Sequence, residues 1–173
     1  MATTDSPPVV SDAGPLIHLD ELQCLDLLRD FGPILVPPEV WAEVSRHRPQ
    51  LTAGDVAGAR IVGVASEPSP RLVALCRSLG LDVGETAALT LMEGVSGKLL
   101  LCDDAAARLA AESLGFVSRG TIGILVRSIR TRARSREQVL AILRAIPVRS
   151  TLHVSHQLLA DVIGQVERSS GTS

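Results

Sequence analysis

The stretch KLLLCDDAAARLAAESLG, residues 98–115, passes from a short apolar run through two aspartates into a helical pattern of alanine and leucine. An apolar run of this kind that gives way to helix-period spacing reads as a buried strand feeding a helix. VVSDAGPLI, residues 9–17, repeats the arrangement with one aspartate. In an open parallel sheet, ligands collect just outside the carboxyl ends of the strands, so Asp12 and Asp103 are placed to face one shared site. Two acids brought together in this way need a cation.

Working outward, short apolar runs alternate with helical patterns: ILV then PEVWAEVSRH, IVGVAS then PRLVALCRSLG, FVS then TIGILVRSIR. The alternation indicates an α/β fold with a mostly parallel central sheet covered on both faces. LDELQCLDLLRDF, after the first strand, reads as one helix. Pro15, Pro38 and Pro70 fall near helix starts and Gly80 and Gly115 near helix ends, as those residues prefer. REQVLAILRA and SHQLLADVIGQVER add two amphipathic helices. The expected division is a first domain over residues 7–134, a C-terminal helical extension over 135–168 packed on the same domain, and a disordered polar tail over 169–173.

A chain of 173 residues with 46% hydrophobic composition is long enough for one well-buried core. Charged residues, glycine or proline interrupt every apolar stretch, and MATTDSPP lacks a basic-then-apolar signal pattern, so a cytoplasmic protein with no membrane span is expected. Three cysteines, Cys24, Cys76 and Cys102, form no CxxC pair and suit reduced thiols in the core.

The net charge of −2 hides an asymmetry: residues 1–118 carry 16 Asp/Glu against 8 Lys/Arg, residues 119–173 carry 3 against 9. Much of the excess is RSIRTRARSR, residues 127–136, which suits either a polyanion contact or a solvated helix face. Only Trp41, Phe31 and Phe116 are aromatic, which argues against a base-stacking platform.

Two further carboxylates join the aspartates. Glu85 shares a helix face with Ala88, Leu89 and Met92, where it is either a first-turn residue favoured by the helix dipole or an acid aimed at a site. Glu43 lies about 60° from the buried Val40 on the helical wheel, at the edge of the buried seam, whereas Glu39 reads as an exposed or capping charge. Asp12 and Asp103 each suit an N-cap, with Asp104 the alternative cap after Asp103. Two carboxylates about 4 Å apart repel by about 4 kcal/mol at an effective dielectric of about 20, so a cluster of four requires a cation. An all-carboxylate set suits Mg²⁺ or Mn²⁺ and disfavours zinc. His153 and His156 form an HxxH pair without a nearby cysteine, and His18 and His47 stand unpaired in the sequence. No GxxxxGK[ST] loop, GxGxxG turn or GxSxG elbow is present, and Lys98 is the only lysine.

The motifs SDAGPLI, PPEVWAEV, GETAAL, LLLCDD and GTIGILV, in that order over about residues 9–126, resemble those of the PIN-domain nucleases, in particular the prokaryotic toxin-like branch (DUF3368-like). The resemblance implies a three-layer αβα sandwich with C-terminal helices and a Mg²⁺- or Mn²⁺-dependent ribonuclease, often the toxin of a toxin–antitoxin pair. Carried over by motif, Asp12, Glu43, Glu85 and Asp103 are the catalytic and metal-binding acids, and Asp104 and Thr121 match auxiliary polar positions. Ala13 and Cys102 stand where relatives commonly carry a hydroxyl. In the implied chemistry one or two ions held by Asp12, Glu85 and Asp103 activate water for attack on the RNA backbone. Glu43 serves a second ion or the water, while Arg119, Arg127, Arg130 and Arg134 hold RNA. RNA, a small cognate antitoxin and a second copy of the chain are the expected partners. The competing reading is a non-catalytic module of the same fold that binds nucleic acid or protein. A phosphotransferase with Asp12 as nucleophile fares worse, because the strand ends in DAG and not DxD. On the nuclease reading Asp103→Asn abolishes cleavage and spares or improves folding by relieving repulsion.

Overall fold

A computed structural model describes residues 6–169. Five short strands, β1 (Val9–Ser11), β2 (Ile34–Val36), β3 (Ala59–Ile61), β4 (Leu99–Leu101) and β5 (Val117–Arg119), form one sheet in the order β3-β2-β1-β4-β5, every neighbouring pair parallel. Every residue of β1 and β2 is buried, as expected for interior strands covered on both faces, whereas Ile61 and Val117 on the two edges are exposed.

Among the described residues eight α-helices accompany the sheet: α1 (Ala13–Glu21), α2 (Pro38–His47), α3 (Pro70–Leu79), α4 (Val83–Gly94), α5 (Ala105–Ser113), α6 (Thr121–Arg130), α7 (Arg136–Arg149) and α8 (His156–Arg168). Their starts are written locally. Ser69, Asp104, Ser135 and Ser155 each accept a backbone N–H of the first turn, and Pro38 and Pro70 open α2 and α3. Helices α1, α6 and α7 touch in series, α3, α4 and α5 touch one another, and α2 meets both α1 and α4. The result is the three-layer αβα sandwich with an all-parallel sheet. Helices α7 and α8 pack together, α7 against α6.

Two elements depart from the expected pattern. The helix expected across Leu19–Phe31 breaks after Glu21: Gln23 takes φ +58°, Cys24 N–H donates to Leu19 O and Gln23 N–H to Asp20 O, and a 3₁₀ turn follows over Leu25–Asp30. This is a Schellman closure with glutamine in the place glycine usually holds. The strand expected at IVGVAS starts earlier, at Ala59, and stops at Ile61. Ser169, expected in the tail, receives a hydrogen bond from Arg136 and closes α8, while residues 170–173 lie outside the described residues.

The chain runs outward from β1 through β2 to β3, then returns to lay β4 on the other side of β1. The crevice of such a sheet opens at that reversal, beyond the carboxyl ends of β1 and β4. Asp12 and Asp103 follow those two strands, and the Asp12 N–H donates to Leu101 O across the gap.

Candidate functional site

A cavity of about 500 Å³ opens at this reversal and is lined by six carboxylates: Asp12, Glu43, Asp82, Glu85, Asp103 and Asp104. Its sources are distributed: the β1–α1 junction supplies Asp12, α2 Glu43, the start of α4 Asp82 and Glu85, and the β4–α5 junction Asp103 and Asp104. All four acids expected from sequence therefore face one space.

The caps separate site residues from structural ones. Asp104 Oδ1 accepts the Ala107 N–H at 2.8 Å and is the cap of α5, which leaves Asp103 free of that duty. Asp12 occupies the cap position of α1, yet its side chain makes no capping bond. It is 7% exposed, and the Cys102 thiol, itself buried, lies 3.6 Å from its Oδ2. Burial pushes the Asp12 carboxyl up to about 6 against the opposing Ala13 N–H, and Glu43 and Asp82 add to the rise. Cys102 is pushed up in turn by burial and by Asp12, and stays a thiol.

Glu85 and Asp82 form a capping box: Glu85 N–H donates to Asp82 Oδ1 at 2.8 Å and Asp82 N–H to Glu85 Oε2 at 2.9 Å. The dipole-facing first-turn role and the site role thus coincide in one side chain. Burial first, then Asp82, Asp104 and Asp12, raise the Glu85 carboxyl to about 7. Glu43 reaches the pocket beside Gly84, where a Cβ would sit 3.6 Å from Glu43 Oε2. Glu39 is exposed at the start of α2, as its wheel position indicates.

Asp103 is the opposite of Asp12. Its Oδ1 accepts the Thr121 N–H at 2.7 Å, and its Oδ2 accepts the Thr121 hydroxyl at 2.6 Å and His18 Nδ1 at 2.8 Å. Thr121 is wholly buried, so the auxiliary position expected from sequence holds an acid of the site in place. A Cβ on Gly120 would lie 2.6 Å from Asp103 Oδ1, so only glycine lets α6 approach this carboxylate. His18 stands one turn beyond Gly14 on α1, on the pocket side, and is paired where the sequence left it alone. His47 Nδ1 bonds Glu43 O one turn back and also lines the cavity.

The connection between α7 and α8 closes one side of the cavity with Thr151, Leu152 and His153. Glu21, at the end of α1, clasps it by accepting the Ser150 hydroxyl at 2.8 Å and the Thr151 N–H at 2.7 Å. Partial burial raises Glu21, but these bonds outweigh it and hold its carboxyl below the usual range.

Among the arginines, Arg127 lies over Phe31 and 3.6 Å from Asp30, and Arg134 makes two 2.8 Å bonds to Asp26. Both fasten the basic segment to the 3₁₀ turn. Arg130 is exposed on α6. Arg119 ends β5 and is half-buried; burial first, then its charged neighbours Arg127 and Arg130, hold its guanidinium pKa below the usual arginine value.

A family model for a PIN domain (DUF3368) matches residues 8–168, nearly the whole chain. The chain belongs to that family. No curated protein and no solved structure matches it significantly. PIN domains are generally nucleases and typically use divalent metals such as Mg²⁺. The donor chemistry of this PIN domain suits such an ion: the cavity offers carboxylate oxygens that raise one another's proton affinity, the electrostatic condition a hard cation relieves. The set is open, since among the described residues no three acidic, histidine or cysteine groups close on one point. No helix among them is long and apolar enough to cross a membrane.

Sequence reading missed three participants. Asp82 carries the D-x-x-E signature of a capping box and was legible. His18 and the Leu152–His153 strap come from positions whose approach to Asp103 depends on packing between distant parts of the chain.

Proposed function

We propose that this PIN domain is a Mg²⁺- or Mn²⁺-dependent endoribonuclease of the cytoplasm, the toxin of a toxin–antitoxin pair. The observation that carries the nuclease reading is Asp12, a carboxylate at the sheet reversal whose side chain makes no helix-capping bond and which, among the described residues, meets no cationic side chain, while burial and then Glu43 and Asp82 raise its pKa against the Ala13 N–H. Asp12, Glu85 and Asp103 would hold the cation, with Glu43 beside Gly84 available for a second ion or for the water. When bound, the ion supplies Lewis-acid activation of water and neutralises charge on the phosphodiester. Thr121 and His18 fix the orientation of Asp103, and the strap over residues 150–154 limits the directions from which a strand can enter. Capture by an antitoxin and pairing of two copies rest on the family resemblance.

The test is cleavage of a mixed RNA pool by the purified chain with Mg²⁺, Mn²⁺ or EDTA, beside Asp12→Asn prepared in the same way. Cleavage that needs the metal and vanishes in the folded variant is expected. An equal product pattern from both proteins, or in EDTA, overturns the reading. Binding without cleavage under any metal leaves the non-catalytic module.

A further inference from the structure

Behind the strap lies a second cavity, of about 380 Å³, which shares Asp103, Leu152 and His153 with the acid pocket and differs from it in charge. Its polar wall is Arg119, Arg108 and Ser118; its apolar wall includes Ile122, Leu152 and Val154. Volumes of roughly 300–1,000 Å³ with an apolar lining and a few placed polar groups are typical of small-molecule sites.

Arg119 is held there by shape. A Cβ at Gly123 would fall 3.0 Å from Arg119 Cγ and 3.7 Å from Cδ, so the missing side chain lets the arginine stem lie across α6. The two glycines of GTIGILV thus do different work: Gly120 admits the Asp103 carboxylate and Gly123 seats Arg119. No carboxylate among the described residues pairs with Arg119, and its charged neighbours are arginines. Arg108, on α5, donates from Nε to Ser118 Oγ at 3.3 Å. Two guanidinium groups, neither in an ion pair among the described residues, therefore border a cavity that also has aliphatic walls and includes Asp103 in its lining.

From this juxtaposition we infer that the second cavity is a nucleotide subsite, taking the residue next to the scissile phosphate: Arg119 and Arg108 bind its phosphate, and its base enters against Ile122, Leu152 and Val154. The inference rests on the nuclease reading and adds to it a particular position of the substrate. A base must leave its stack to enter, so the strand is unpaired at that nucleotide. One flanking position then matters for affinity beyond sequence-independent backbone contacts.

The test uses the whole chain in EDTA, where no metal supports cleavage, and a fluorescent single-stranded RNA octamer. A set of octamers, each lacking one base, is titrated against the wild type, Arg119→Gln, Arg119→Lys and the remote control Arg60→Gln. The expected wild-type result is one abasic position that weakens binding at least about fivefold, the loss expected when about 40 Å² of apolar base surface is no longer buried. Arg119→Gln weakens binding about tenfold, reduces the slope of log K against log salt by about one, and removes the abasic effect, while Arg119→Lys retains most of the affinity. Arg60→Gln matches the wild type. A flat abasic scan of the wild type, or Arg119→Gln binding like Arg60→Gln, overturns the subsite. The same octamers with Mn²⁺ separate the two claims: cleavage with a flat scan removes the subsite and leaves the nuclease. An Arg119-dependent abasic signature on RNA that is never cleaved supports the subsite and removes the nuclease. RNA that does not bind at all removes both.

Discussion

Asp12 and Asp103 follow neighbouring strands and respond oppositely to neutralisation. Asp103 accepts three hydrogen bonds, from the Thr121 amide, the Thr121 hydroxyl and His18. An asparagine there turns an amide NH₂ toward donors and loses bonds to a charged acceptor, each worth about 1.5–3 kcal/mol. Asp103→Asn is therefore expected to lower the melting temperature, which corrects the expectation that it spares or improves folding: this carboxylate is surrounded by donors and not chiefly repelled by acids. Asp12→Asn has the reverse sign. The Asp12 carboxyl rises from 3.8 to about 6 in the fold, so between those values the native state binds more protons than the unfolded chain, and its contribution to stability falls as pH rises through that window. At about 1.4 kcal/mol per pKa unit, Asp12→Asn gains up to roughly 3 kcal/mol at neutral pH and flattens the pH dependence of melting over about pH 4–7. Gly120→Ala forces a methyl to 2.6 Å from Asp103 Oδ1 and is expected to cost about 1–3 kcal/mol, read as a lower melting temperature.

At the scale of elements, the connection between α7 and α8 is an active part of the site because Glu21 ties it down. Glu21→Gln removes the carboxylate that accepts Ser150 Oγ, Thr151 N–H and Thr151 Oγ1. Hydrogen exchange over residues 150–154 is expected to rise, corresponding to local opening easier by about 1–3 kcal/mol, with α4 and α5 unchanged. Protection equal to the wild type contradicts the clasp. The elements themselves were legible where local chemistry marks them: Ser69–Pro70, the Asp82–Glu85 box, Asp104 and Ser135 all cap helices from within their own sequence. The stop at Gln23 was not, because the turn takes a left-handed residue that is neither glycine nor asparagine and draws its bonds from Leu19 and Asp20. The short β3 was obscured by apolar residues that continue past the point where pairing with β2 ends.

At the scale of the molecule, the acids converge from residues 12 to 104 because the strand order reverses beside β1. That convergence was readable from strand–helix alternation and from acids placed at strand ends. The His18–Asp103 contact spans 85 positions and depends on how Gly14 and His18 of α1 come to lie beside the β4–α5 junction, which no local pattern encodes. The basic half of the chain divides by packing: Arg127 and Arg134 are spent on Asp30 and Asp26, so the segment read as a polyanion contact also fastens the C-terminal helices to the front of the chain. Arg119 keeps its charge without a carboxylate, beside the acid pocket.

On the proposed function these acids form a cation site, and a metal that binds there displaces their protons. Calorimetric titration of the EDTA-treated, dialysed chain with Mn²⁺, in buffers of different ionisation enthalpy at pH 6 and pH 8, reads both the binding and the protons released. With Asp12 near 6 and Glu85 near 7, binding at pH 6 is expected to release about one proton or somewhat more, binding at pH 8 almost none, and Asp12→Asn is expected to bind weakly with less release. Absence of Mn²⁺ binding, or a proton count that is the same at both pH values and in Asp12→Asn, overturns the cation site.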